Sequence, residues 1–111
     1  MASITNIYID QGANFSNTIT VNGGDGNPLD LTNYTTASQM RKSYQSSSAT
    51  NLNAVITDAS GGKIRITLDA TQSAAVSAGR YLYDVEITSD SGVKTRVVEG
   101  IATVSPEITQ I

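Results

Sequence analysis

Gly79-Arg80-Tyr81-Leu82-Tyr83-Asp84-Val85-Glu86-Ile87-Thr88 sets a large apolar or aromatic side chain at every second position, with Arg80, Asp84 and Glu86 in the alternate places. A period of two is the mark of a strand with one buried and one wet face. The next stretch, residues 94–104, alternates less cleanly and is separated from the first by Ser89-Asp90-Ser91-Gly92, a turn signal. With Asp90-Ser91-Gly92 as a three-residue loop and Gly92 left-handed, Thr88 faces Lys94, Glu86 faces Arg96 and Val85 faces Val97. The same register sets Glu99 opposite Tyr83, a conflict that a β-bulge near Gly100 would relieve.

The pattern repeats outward along the chain. Strands are expected over residues 4–9, where Thr5, Ile7 and Ile9 share a face, over 15–22, and over 35–44, whose texture is polar. Gly23-Gly24-Asp25-Gly26-Asn27-Pro28 breaks the chain between the second and third, because glycine accepts positive φ and proline ends ladder pairing. Leu52, Ala54 and Ile56 alternate into Asp58-Ala59-Ser60-Gly61-Gly62, and Ile64, Ile66 and Leu68 alternate out of it, which predicts a β-hairpin. Asp69-Ala70-Thr71-Gln72 has the form of a capping box, so one or two helical turns are expected before Gly79. About seven short strands, one helical corner and no alternation of strands with helices predict an all-β, immunoglobulin-like antiparallel β-sandwich, expected as a single domain over 1–111, with a barrel as the alternative. In such sandwiches a tyrosine just after the corner bonds the corner backbone; Tyr81 or Tyr83 holds that place.

Composition narrows the chemistry. The 111 residues include no His, Cys or Trp, and the net charge is −3 with the seven Lys and Arg dispersed. The commonest general base, the thiol nucleophile, the usual transition-metal ligands and a phosphate-neutralising stripe are all missing, so no cofactor and no nucleic-acid partner is expected. No apolar run approaches the ~20 residues of a membrane span, and the first residues lack the basic and apolar segments of an export signal. Neither membrane contact nor secretion is therefore expected.

Four constellations remain. Asp84 and Glu86, two apart on one face, have the form of paired hydrolase carboxylates that Arg80 or Arg96 could tune; cross-strand ion pairs on a solvated face account for them better, and no enzyme activity is expected. Asp25, Asn27 and Asp30 supply hard oxygen atoms in a glycine-rich loop, yet lack the acidic series of a calcium loop, so an Asx-rich turn is expected. Asn14-Phe15-Ser16 and Asn33-Tyr34-Thr35 match the glycosylation triplet by chance in so Asn- and Thr-rich a chain. Arg41-Lys42-Ser43-Tyr44 joins an adjacent basic pair to an aromatic, a combination enriched in protein contacts.

Asp30-Leu31-Thr32-Asn33-Tyr34-Thr35, Gln39-Met40-Arg41-Lys42-Ser43-Tyr44, Ala78-Gly79-Arg80-Tyr81-Leu82-Tyr83-Asp84-Val85 and Arg96-Val97-Val98-Glu99-Gly100-Ile101-Ala102-Thr103-Val104-Ser105-Pro106-Glu107-Ile108-Thr109 together resemble small structural proteins of tailed bacteriophages, especially those of cyanobacteria and marine bacteria. The chain is also distantly similar to the N-terminal docking domain of baseplate upper proteins, without the trailing helices and receptor-binding region of those relatives. The resemblance implies a non-enzymatic virion protein made in the bacterial cytoplasm, with capsid, tail or baseplate proteins as partners and a homo-oligomer compatible with its open edges. Decoration or cementing of the capsid surface is the leading expectation; a tail or baseplate adaptor and a carbohydrate-binding adhesive domain are the alternatives. Arg41, Lys42 and Tyr44, together with Pro106, Ile108 and Ile111 in the tail that Pro106 releases, are the expected contact residues, and the chain start through Thr5 is a further docking candidate.

Overall fold

A computed structural model describes residues 3–43, 45 and 48–108. The expected contact residues Tyr44 and Ile111 lie outside them, as do Met1 and Ala2 of the docking candidate at the chain start. Two sheets face each other. The larger contains β1 (Ser3–Ile4), β2 (Ile7–Asp10), β4 (Thr35–Arg41), β5 (Thr50–Asn51), β8 (Gly79–Thr88) and β9 (Lys94–Ser105), and the smaller contains β3 (Phe15–Thr20), β6 (Asn53–Asp58) and β7 (Lys63–Leu68). Across the larger sheet the order is β1-β9-β8-β4-β5, with β2 also on β9; across the smaller it is β3-β7-β6. The all-β sandwich expected from the alternation is therefore the architecture, and there is no barrel.

About seven strands were expected; the first is interrupted, and the short β5 ahead of Leu52 is one that was not read. The first breaks at Thr5 and Asn6 into β1 and β2, both of which run parallel to β9. The larger sheet is thus mixed rather than antiparallel throughout as expected, because β1 and β2 enter it alongside β9 in the same direction before the chain crosses to β3 in the opposite sheet. The stretch before the hairpin changes sheets: Thr50 pairs with Met40 of β4, whereas Asn53 pairs with Thr67 of β7. Leu52 sits at the switch, fully buried, with its N–H donating to the Ser38 carbonyl at 2.9 Å.

The inner faces carry the stripes that alternation requires. Ile7 and Ile9 of β2, Tyr81, Tyr83, Val85 and Ile87 of β8, and Val98, Ala102 and Val104 of β9 meet Ile19, Ile64, Ile66 and Leu68 of the smaller sheet. Burial of each large apolar side chain contributes roughly 1.5–3 kcal/mol. The polar texture of β4 has a local explanation: Ser38 Oγ donates to the Asp84 carbonyl at 2.6 Å and Thr36 Oγ1 to the Glu86 carbonyl at 3.0 Å. Hydroxyls can occupy a buried face when they are bonded in this way.

At the corner, Asp69 accepts from the Gln72 N–H while the Gln72 side chain accepts from the Asp69 N–H. This is the expected capping box, and the helix, α1 (Ala70–Ala74), starts directly after Asp69 but stops well short of Gly79. Val76 turns into the core instead, and the Tyr81 hydroxyl donates to the Ser77 carbonyl at 2.7 Å, the expected corner contact.

The β8–β9 register holds at the turn, where Gly92 has φ +91°, and as far as Glu86 opposite Arg96. Beyond that it departs from expectation. The bulge falls between Val85 and Glu86, so Val85 faces Val98 rather than Val97, and Glu99 faces Asp84. Val97 is the extra residue. A bulge near Gly100 would have left Arg96 and Glu99 on opposite faces; the observed one puts both outward. Gly100 instead lies opposite Tyr83, where a Cβ would collide with the Thr5 carbonyl.

Candidate functional site

The outer face of the larger sheet is built in cross-strand rows. Arg41, Leu82 and Ile101 form one row; Gln39, Asp84, Glu99 and Ile4 form the next; Ala37, Glu86 and Arg96 form the third. All of these residues except Ala37, together with Asn6, Ser43, Tyr83 and Gly100, line a groove of 560 Å³. Its apolar part is Leu82, Ile101 and Ile4, the last 78% exposed. Its charged part centres on Arg96, whose Nε lies 3.1 Å from Asp84 Oδ2 and whose guanidinium donates to Glu99 Oε2 at 3.4 Å. The bulge at Val97 makes this triad by turning positions 96 and 99 to one side.

Glu86 keeps its expected register opposite Arg96, but the ion pairs of Arg96 run diagonally to Asp84 and along its own strand to Glu99. Arg80 shares the outer face, beyond Leu82, and does not line the groove. Burial pushes the Asp84 carboxyl above the ordinary carboxylate range, Glu86 adds to the effect, and Arg96 offsets part of it. The folded protein therefore takes up the Asp84 proton before the unfolded chain does, and ionised Asp84 lowers stability at neutral pH. Asp84→Asn is expected to raise the urea midpoint at pH 7 by the equivalent of less than ~1 kcal/mol. That gain should shrink as pH falls through the folded-state titration and vanish below the unfolded value near 3.8. A loss of stability at pH 7 would mean that the contact with Arg96 outweighs burial.

The expected contact residues are dispersed. Arg41 enters the groove, with a guanidinium nitrogen 3.3 Å from Gln39 Oε1. Its neighbour Lys42 turns to the other side, where Nζ stands 4.4 Å from the centre of the Tyr81 ring, a cation–π contact. Pro106 follows the last residue of β9, and there the chain is tied to the β2–β3 connection: Gln11 N–H donates to the Ser105 carbonyl at 2.9 Å and Glu107 N–H to Gln11 Oε1 at 3.2 Å. Ile108, just beyond, is 96% exposed.

The glycine-rich loop uses its carboxylates on itself. Asp25 Oδ1 accepts from Asn27 N–H at 3.0 Å, and Asp30 Oδ1 accepts from the Thr32 hydroxyl and N–H at 2.6 and 2.9 Å. Those bonds hold both carboxyls below their ordinary range, with the Asn27 N–H the largest influence on Asp25 and the Thr32 hydroxyl on Asp30. They are Asx turns, as expected. Among the described residues, no cluster of three or more acidic groups is placed to hold a metal ion.

Sequence reading missed the apolar half of the groove. A signal existed, because Leu82 stands among the outward positions of β8, between Arg80 and Asp84. Only the pairing with Ile101 and the parallel addition of β1 show that it belongs to a patch.

No protein-family model and no curated protein matches the chain. Among solved structures it is similar to the N-terminal domain of phage TP901-1 ORF48, with a TM-score of 0.58 and 13% identity over 91% of this chain and 85% of that one. Weaker likenesses are to an internalin-like protein of Listeria monocytogenes, at TM-score 0.46, 13% identity, 94% of this chain and 28% of that one, and to a family 123 glycoside hydrolase from Clostridium perfringens, at 0.42, 12%, 95% and 23%. Across nearly its whole length, the chain shares its fold with a domain of a bacteriophage protein.

Proposed function

We propose that this domain is a non-enzymatic docking module of a tailed-phage virion, attaching to a neighbouring tail or baseplate protein through the outer face of its larger sheet. The observation that carries the reading is the row of Leu82 and Ile101, extended by Ile4, exposed beside the Asp84–Arg96–Glu99 triad. An apolar centre with a charged rim is the anatomy of a protein contact, and its ionic part fixes which partner fits. The phage setting is supported by the likeness to the N-terminal domain of phage TP901-1 ORF48. Asp84 and Glu99 are both engaged with Arg96, an arrangement that supports recognition.

Cross-linking and quantitative mass spectrometry of purified virions would test this reading. The expected result is on the order of six to a few dozen copies per particle, cross-linked to tail or baseplate proteins, with incorporation lost in Leu82→Lys/Ile101→Lys. Hundreds of copies on isolated heads would replace it with the capsid-decoration reading. Saturable binding on a glycan array would favour an adhesive domain, and a turnover abolished by Asp84→Asn would overturn the non-enzymatic assignment.

A further inference from the structure

The sheet edges differ in how they are protected against pairing. β5 has two residues; the β1–β2 edge is broken at Thr5 and Asn6 and ends on Asp10; β6 carries a register shift between Ile56 and Asp58 and ends on that acid. Such interruptions and charges are what keep strand edges from joining other chains. β3 has none of them. Phe15-Ser16-Asn17-Thr18-Ile19-Thr20 pairs with β7 in unbroken register and contains no charge, proline or glycine.

The hydrogen-bonding side of each residue follows from one contact. Val21 N–H donates to the Gly62 carbonyl at 2.7 Å, on the β7 side. Backbone groups alternate along a strand, so residues 15, 17 and 19 bond towards β7, while Ser16, Thr18 and Thr20 direct their N–H and C=O groups to the open side. Their side chains are exposed. A groove of 340 Å³ runs along this edge between β2 and β3, walled by Ile7, Tyr8, Phe15 and Asn17, with Tyr8 70% exposed.

We propose that β3 is the edge through which two copies of this chain join, antiparallel across a two-fold axis, to make one continuous six-stranded sheet from their two smaller sheets. A two-fold axis sets each residue against its own kind or its mirror position. Thr18 then faces Thr18 of the second copy and Ser16 faces Thr20, small hydroxyls that pair well across strands. No like charges meet, as they would at a charged edge. Arg65 on β7, opposite Thr18, would lie three strand spacings from its counterpart, about 14 Å, beyond the screening length of physiological salt, and Lys63, whose Nζ donates to Thr20 Oγ1 at 3.3 Å, is displaced along the strand from its own counterpart. The second strand would also roof the groove beside Tyr8. The inference stands apart from the docking role of the larger sheet.

Thr18→Cys provides a direct test, because the chain has no cysteine of its own. Residues facing each other in a hydrogen-bonded antiparallel pair have Cα atoms about 5.5 Å apart, within disulfide range. Mild oxidation should give a covalent dimer from Thr18→Cys and none from Val55→Cys on the β6 edge. In sedimentation equilibrium the unmodified chain should show a concentration-dependent dimer, and Thr18→Lys should raise its dissociation constant at least ~10-fold with an unchanged circular dichroism spectrum. Thr18→Pro, which removes an outward N–H and no ladder bond, should do the same. A chain that stays monomeric at millimolar concentration, or a dimer indifferent to Thr18→Lys, overturns the proposal.

Discussion

Tyr83→Ala is expected to destabilise the domain by roughly 3–5 kcal/mol, read as a shift of the urea midpoint at constant slope. The ring is 4% exposed and belongs to the continuous core of both sheets, so its removal leaves a cavity that neighbouring strands cannot close. Domains of this size have only about 5–15 kcal/mol in total, so the variant should be close to unfolding. Tyr83→Phe separates the ring from its hydroxyl, which donates to the Thr5 carbonyl; a loss of about 1 kcal/mol is expected. A shift below ~1 kcal/mol for Tyr83→Ala would show that the ring is not in the core.

The hydroxyl also gives Tyr83 a signature in alkali. Burial pushes its titration from 10.0 up to about 12, so above pH 10 the unfolded chain loses a proton that the folded protein keeps. The stabilisation is complete below pH 10 and is lost as pH rises to about 12, with a slope of roughly 1.4 kcal/mol per pH unit. Tyr83→Phe should remove that part of the slope. Equal slopes in the two proteins would mean that the hydroxyl is solvated.

Gly100→Val is expected to cost roughly 3 kcal/mol, at the upper end of the range for overpacking. The Cβ that valine brings would collide with the Thr5 carbonyl, which is backbone and cannot rotate away. Relief requires the β1–β2 junction to move, and with it two contacts: Thr5 N–H to the Glu99 carbonyl at 2.9 Å and Ile101 N–H to Asn6 Oδ1 at 3.1 Å. Ile4 leaves the groove with them. The variant should therefore lose partner docking even where enough folded protein remains to measure, whereas Tyr83→Phe should retain it. Full stability in Gly100→Val would show that β1 does not lie against β9.

Strand existence was legible wherever one face is buried, because alternation is then enforced at every second residue. Tyr81, Tyr83, Val85 and Ile87 are all buried, and the hairpin around Asp58-Ala59-Ser60-Gly61-Gly62 connects the strands as read. Of the pairs read for the β8–β9 hairpin, Thr88–Lys94 and Glu86–Arg96 hold, while Val85–Val97 and Tyr83–Glu99 fail, because a backbone irregularity at Val97 leaves no mark in residue type. The candidate site was less legible. Arg41 was found on composition, but Lys42 was grouped with it by adjacency, although neighbouring residues on a strand point opposite ways and the two end in different surroundings.

The amino-acid sequence alone determined the class of fold, that a tyrosine at 81 or 83 serves the corner, and the absence of histidine and cysteine chemistry, since each follows from residue type and local period. The tertiary structure alone decided that β1 and β2 run parallel to β9, that Leu52 marks a change of sheet and that the bulge sits at Val97. Those features set which outward residues become neighbours. Neighbourhood between strands distant in sequence depends on register and sheet order, and a residue's own preferences contain no record of either.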